Sequence, residues 1–201
     1  MYISTSGQIA VFSLLLLSLV ACSDGDDEIE SSSSSVNSGL NGTWVSGCVL
    51  DVVDGDASIY AYTIRDSELQ LQIDSFPNDA SCVTRSAQTR LEGELITGMT
   101  VPLATGPAAI EVDLRLQSGS ITYFDANVIL DVNASEICGI SDWVAGVSRD
   151  VTSCLGVPRT IFDIVRVDGD ALFFGDNTIT DGETPETRHT ALNLDVPYSR
   201  Q

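Results

Sequence analysis

"ELQLQID", Glu68 to Asp74, places Leu69, Leu71 and Ile73 on one side of an extended chain and Gln70, Gln72 and Asp74 on the other. "AIEVDLRLQ" repeats the arrangement, with Ile110, Val112, Leu114 and Leu116 opposite Glu111, Asp113, Arg115 and Gln117. An apolar and polar alternation of period two marks a strand with one face on a core and the other in water. Looser alternation runs through "SIYAYTIR", where Tyr60, Tyr62 and Ile64 share a face, and through "SITYFDANVIL" and "TIFDIVRV". The pattern predicts eight or nine strands near 42–53, 58–66, 68–76, 82–91, 93–103, 108–117, 120–131, 160–168 and 170–175. Helical periodicity is nearly absent, leaving room for one short helix between Val132 and Pro158.

Short connections between strands that each have one apolar face require the sheet to stack or to close on itself. The expected fold is therefore all-β, a single antiparallel up-and-down barrel of eight or nine strands with an extended C-terminal tail over Asp176 to Gln201. The string VDGDA occurs twice, at Val53 to Ala57 and at Val167 to Ala171. Asp-Gly between apolar runs is a hairpin signal of the type I′ kind. The same acids do not form an EF-hand calcium loop, which wants a glycine at the sixth position and a glutamate at the twelfth.

The first residues have a different pattern. Ile9 to Val20 is almost wholly apolar but too short to cross a bilayer, which takes roughly 20 residues of helix, and "LLLLSLVACSDGDDE" then passes abruptly into acid at Cys22. A short apolar run followed by small residues is the form of an export signal. Leu19, Val20, Ala21 and Cys22 resemble the lipobox of bacterial lipoproteins, although Met1 to Ala10 lacks the usual Lys or Arg. The resemblance implies a signal peptide at 1–21 and lipidation of Cys22 by a diacylglycerol and a further acyl chain such as palmitate. Membrane attachment through those acyl chains would be effectively permanent, at about 0.8 kcal/mol per buried methylene. Ser23 is not the aspartate that retains enterobacterial lipoproteins on the inner membrane, so the expected location is the outer membrane. Residues 22–41, rich in Ser, Asp, Glu and Gly with five consecutive serines, are expected to form a disordered tether. The barrel domain is then 42–201, a length that supports one domain with a real core.

The chain has no lysine and a formal net charge of −20. Such a surface repels polyanions, which disfavours nucleic-acid partners. Apart from Cys22 there are four cysteines, Cys48, Cys82, Cys138 and Cys154, an even number for an oxidising compartment. Two disulfides are expected. Of the three possible pairings, Cys48 with Cys82 and Cys138 with Cys154 is favoured, because the latter pair brackets one loop and the former lies within the N-terminal half. Zinc is disfavoured by the lack of a CxxC pair and by the single histidine, His189.

"LNGTWVSGC" opens the first strand with Gly42, Thr43 and Trp44, and resembles the G-x-W start of lipocalins and related calycin barrels. "IFDIVRVDGDALFFG" is similar to the closing hairpin of lipocalin-like bacterial lipoproteins. The resemblance implies that Trp44 plugs the closed end of the barrel beneath an arginine from late in the chain, Arg166 or Arg188. Two features depart from the family: the segment Val132 to Pro158 precedes the last hairpin, and the final stretch has Pro185 and Pro197 and no helical pattern.

No nucleophile elbow, zinc-protease motif or phosphate-binding glycine loop is present, and His189 sits in the tail segment "PETRHTAL" as a lone, solvated histidine. Paired acids for hydrolysis stay open, since their separation is not written in a sequence. The chain is expected not to be an enzyme and to need no cofactor or metal. The leading expectation is a small apolar or amphipathic ligand held in a barrel lined by Tyr60, Tyr62, Leu71, Leu114, Tyr123 and Phe124. The alternative is a filled barrel whose outer surface contacts an envelope protein.

Overall fold

A computed structural model of the 201-residue chain describes residues 39–50, 55–104 and 106–201. The expected signal peptide, Cys22, the expected tether as far as residue 38, residues 51–54 and residue 105 lie outside the described residues. The strands are β1 (Gly42–Ser46), β2 (Val49–Leu50), β3 (Ala57–Arg65), β4 (Glu68–Phe76), β5 (Ala87–Val101), β6 (Ala109–Tyr123), β7 (Arg149–Asp150), β8 (Arg159–Asp168), β9 (Ala171–Phe174) and β10 (Tyr198–Arg200). A helix, α1 (Ala126–Ala134), follows β6.

Eight strands form a closed antiparallel barrel. Its circuit is β1, β3, β4, β5, β6, β8, β9 and β10, each paired with its neighbour along the chain. β10 then closes the circle on β1, with Trp44 opposite Arg200 and Ser46 opposite Tyr198. The two-residue strands β2 and β7 are side pieces on β3 and β6.

Four differences from the expected elements have local causes. The segments 82–91 and 93–103 are one strand, β5, and 108–117 and 120–131 merge in part into another, β6. A register shift between Glu92 and Gly93 lets the β5–β6 ladder continue through the glycine. A Cβ at Gly93 would collide with the Arg115 carbonyl, so the bulge requires glycine. Second, the chain after Tyr123 is helical, earlier than the Val132 to Pro158 window. Asp125 caps α1 by accepting from Asn127 N at 2.8 Å and Val128 N at 3.1 Å, which outweighs the β-branched content of "ANVILDVNA". Third, the β8–β9 hairpin places positive φ only on Gly169, the first of its two central residues, which is the type II′ and not the type I′ pattern. Fourth, the barrel domain begins before Gly42: Leu40 is 1% exposed and accepts from Trp44 Nε1 at 2.7 Å, so Gly39 to Asn41 belong to the fold and not to the tether.

Strand directions separate two ends. One carries Gly39, the Asp66–Ser67 turn, the Gly169–Asp170 turn and Gln201. The other carries the longer connections: 47–56, 77–86, 124–158 and 175–197. Leu40, Trp44, Ile64, Leu69, Leu95, Val112, Val165 and Leu172 fill the barrel toward the first end. Arg200 lies over the Trp44 ring at 4.3 Å and donates to Gly39 O at 2.8 Å and Asn41 O at 3.2 Å. The arginine over the tryptophan is thus Arg200; Arg166 lies beside Phe173 and Arg188 beside Phe162.

Both expected disulfides are present and both stand at the other end. Cys48–Cys82 joins the loop after β1 to the loop after β4, and Cys138–Cys154 closes the long β6–β8 excursion. That excursion has its own small core, in which Tyr123 and Trp143 meet edge to face at 4.8 Å, with Val151 beside them.

Candidate functional site

β9 is only four residues long and pairs with β8 only from Val165 to Asp168. The other half of β8, from Arg159 to Ile164, therefore has no strand on that side. The segment after β9 fills the gap: Phe162 N donates to Gly182 O at 2.8 Å, Asp176 N to Ala191 O at 2.8 Å and Asn193 N to Phe174 O at 2.9 Å. The C-terminal stretch is extended, as its prolines suggested, but it also supplies barrel wall and the closing strand β10.

Inside this patched wall, at the end away from Trp44, lies a cavity of about 650 Å³. Volumes of roughly 300 to 1,000 Å³ are those of small-molecule sites. Its apolar lining comes from Tyr60 and Tyr62 of β3, Leu114 of β6, Ile161 of β8, Phe174 of β9, and Tyr198 with Val196 at the close of the chain. Tyr62 stacks on Phe174 with centroids 4.3 Å apart, and Tyr198 meets both edge-on at 5.4 and 5.3 Å. Asp163, His189, Asp181, Glu183 and Arg159 supply its charged and titratable groups.

Asp163 is the unusual member. It stands in β8 on the inward register shared by Ile161, Val165 and Val167, and is 6% exposed. Its Oδ1 accepts from Ile164 N at 2.7 Å and Gly175 N at 2.9 Å. Oδ2 makes no hydrogen bond with any described residue. Burial pushes the carboxyl above its ordinary value, against the opposing pull of His189, the two amides and Arg188. Arg188 does not neutralise it directly: the guanidinium donates to Asp113 Oδ1 at 2.7 Å, Val112 O at 2.7 Å and the backbone carbonyl of Asp163 at 2.9 Å.

His189 is 5% exposed, which corrects the expectation of a solvated side chain. Its Nδ1 is 3.0 Å from Thr180 Oγ1. Two glycines make room for it. A Cβ at Gly175 would collide with both Asp163 and His189, and one at Gly182, where φ is +65°, would stand 3.1 Å from His189 Nε2. Burial, first, and the neighbouring phenol and Asp163 charge, second, push the Tyr62 and Tyr198 hydroxyls well above the usual phenol range, so both stay protonated donors.

Of the six residues expected to line a ligand site, Tyr60, Tyr62 and Leu114 come together in the cavity. Leu71 lies in the packed core next to it. Tyr123 and Phe124 do not reach it: Tyr123 packs on Trp143 in the excursion, and Phe124 lies under the Arg85 guanidinium at 4.3 Å. Asp163 was within reach of the sequence as the one acid on the apolar face of "TIFDIVRV". His189, Phe174 and Tyr198 were not, because loop packing and a three-residue strand place them. Among the described residues no three His, Cys, Asp or Glu side chains are arranged to hold a metal. No protein-family model matches the sequence, and no curated protein aligns with it.

Proposed function

We propose that this chain is a lipid-anchored envelope lipoprotein, acylated at Cys22 and located at the outer membrane, whose lipocalin-like barrel binds a small amphipathic ligand without catalysing a reaction. The observation that carries the binding half of this reading is the cavity of about 650 Å³ at the long-loop end. A barrel of this strand number is just wide enough to be filled or to hold one small ligand. Here one half is filled and the other hollow, so the filled-barrel alternative describes only the Trp44 end. The lipocalin likeness draws on the G-x-W opening, the meander order and the Trp44–Arg200 stack. The anchoring half rests on the lipobox resemblance at Leu19 to Cys22.

Native mass spectrometry of the purified protein tests the first half: a bound molecule of a few hundred daltons is expected, and its release should follow Gly175→Ala, whose side chain intrudes on Asp163 and His189. Cys22→Ser tests the second half and should abolish acylation and membrane attachment. A protein that stays membrane-bound and normally processed after that substitution would refute the anchor.

A second reading has one observation in its favour. Leu130, Ile137, Val144 and Val147 of the β6–β8 excursion are all exposed, Leu130 by 67%. That group of apolar side chains would suit contact with a protein partner in the envelope.

A further inference from the structure

We infer that the cavity receives a small organic cation, with a protonated amine or alkylammonium group against Asp163 and an apolar body against Tyr62, Phe174 and Tyr198. The inference rests on reading the cavity as a ligand site and adds the chemical class of the ligand.

The argument begins with what any occupant must do to Asp163. Its Oδ2 has no hydrogen-bond partner among the described residues and the residue lines the cavity, so water or a ligand there is what can satisfy it. A neutral apolar molecule entering the cavity would strip that water and strand a buried carboxylate, a costly arrangement. An anion would be worse. A cation replaces the lost water with a charge-assisted hydrogen bond or a close ion pair, the stronger class of polar contact.

The surrounding groups point the same way. Three carboxylates, Asp163, Asp181 and Glu183, line the cavity against one guanidinium, that of the exposed Arg159, and the His189 imidazole, whose Nδ1 is already engaged with Thr180 Oγ1 at 3.0 Å. Arg188, which also pulls on Asp163, is committed to Asp113 and to two backbone carbonyls. Phe174, Tyr62 and Tyr198 bring π-faces and edges together within 4.3 to 5.4 Å of one another at the same wall. An ammonium group beside such faces is attracted by the ring quadrupoles as well as by the carboxylate. A bare metal ion fits less well, since calcium takes six to eight oxygens and no three acidic or histidine side chains converge among the described residues. The protein's overall charge of −20 raises the local concentration of cations at the mouth.

The test is calorimetric titration of the purified full-length protein with three probes of one shape: 2-phenylethylammonium, 2-phenylethanol and 3-phenylpropionate, at about 0.15 M salt to screen the distant surface charge. The ammonium probe should bind roughly tenfold or more tighter than the alcohol, and the carboxylate weakest of all. Asp163→Asn should erase the preference, while Glu68→Gln, which removes a charge at the opposite end, should leave it intact. If Asp163→Asn fails to fold, Phe174→Leu decides: it keeps the carboxylate and should weaken the ammonium probe several-fold more than the alcohol. Equal binding of alcohol and ammonium overturns the cation assignment and leaves the ligand-binding reading standing. An ammonium preference that survives Asp163→Asn overturns it too, as general surface attraction. Absence of binding by all three probes overturns both readings.

Discussion

The two ends of the barrel solve opposite problems with the same eight strands. At the end where the chain enters, Leu40 and the Trp44–Arg200 stack close the interior, and the large inward side chains are buried in one apolar cluster. At the other end the wall is partly loop, two disulfides hold the connections, and a carboxylate and a histidine are buried beside a void. The difference teaches that the first end is built from burial, which is non-directional and stabilising, whereas the second carries polar groups whose burial costs stability and which mark a site.

Truncation should expose this difference most sharply. Trp44→Ala, which empties the fully buried plug, is expected to cost about 3–5 kcal/mol. Phe174→Ala beside the cavity should cost less than half as much, because its surroundings are already part void. Denaturant unfolding of both variants measures the gap, and equal losses would mean the ends are not energetically distinct. Next in size are the cross-links. In the chain-entropy picture, losing Cys138–Cys154 costs about 3 kcal/mol and Cys48–Cys82 about 4. Hydrogen exchange after Cys48→Ser with Cys82→Ser should accelerate in the long-loop end and leave the amides of Trp44 and Ile64 protected.

A smaller effect, of opposite sign, is expected at Asp163. A carboxyl whose folded pKa is raised binds more protons folded than unfolded, so its contribution is fully present below 3.8 and stability falls as pH rises from there through the folded value. Asp163→Asn removes that slope. Thermal melts should show the variant more stable than the parent at neutral pH, by on the order of 1 kcal/mol, with the gain vanishing below 3.8. A variant that melts lower at neutral pH would show that Asp163 supports the fold. The smallest effect concerns Asp79, a half-buried acid in the Cys82 loop. Backbone amides hold its carboxyl below the ordinary 3.8, that of Thr84 foremost, with Ser81 and Val83 assisting it against the opposing push of desolvation. An NMR titration of the Thr84 amide should therefore turn over below 3.8, and the loop's order should be lost as pH falls through that point.

How far the molecule was legible in its sequence follows the same division. Period-two alternation made β3, β4 and the first half of β6 readable, because their inward faces are largely apolar. Where the interior turns polar, the pattern misleads: Asp163 breaks the apolar face of β8, and the break lies at the candidate site. Arg200 escaped because its meaning depends on β10, a strand of three residues that only pairing with β1 and β9 defines. α1 was hidden by its own Val and Ile content and betrayed only by the Asp125 cap. His189 was unreadable in principle, since its burial depends on the vacancy that two distant glycines leave.

The closure of β10 on β1 also brings the first described residues and the last residue together: Arg200 grips Gly39 and Asn41, and Gln201 N donates to Thr43 O at 2.9 Å. A short peptide joining Gln201 to Gly39 would thus complete a ring of chain, and the barrel could be reopened at any turn on its sealed pole, such as Asp66–Ser67, without disturbing the chamber opposite. The same geography lets a fusion partner be spliced at either place as a handle, leaving the mouth free for titration.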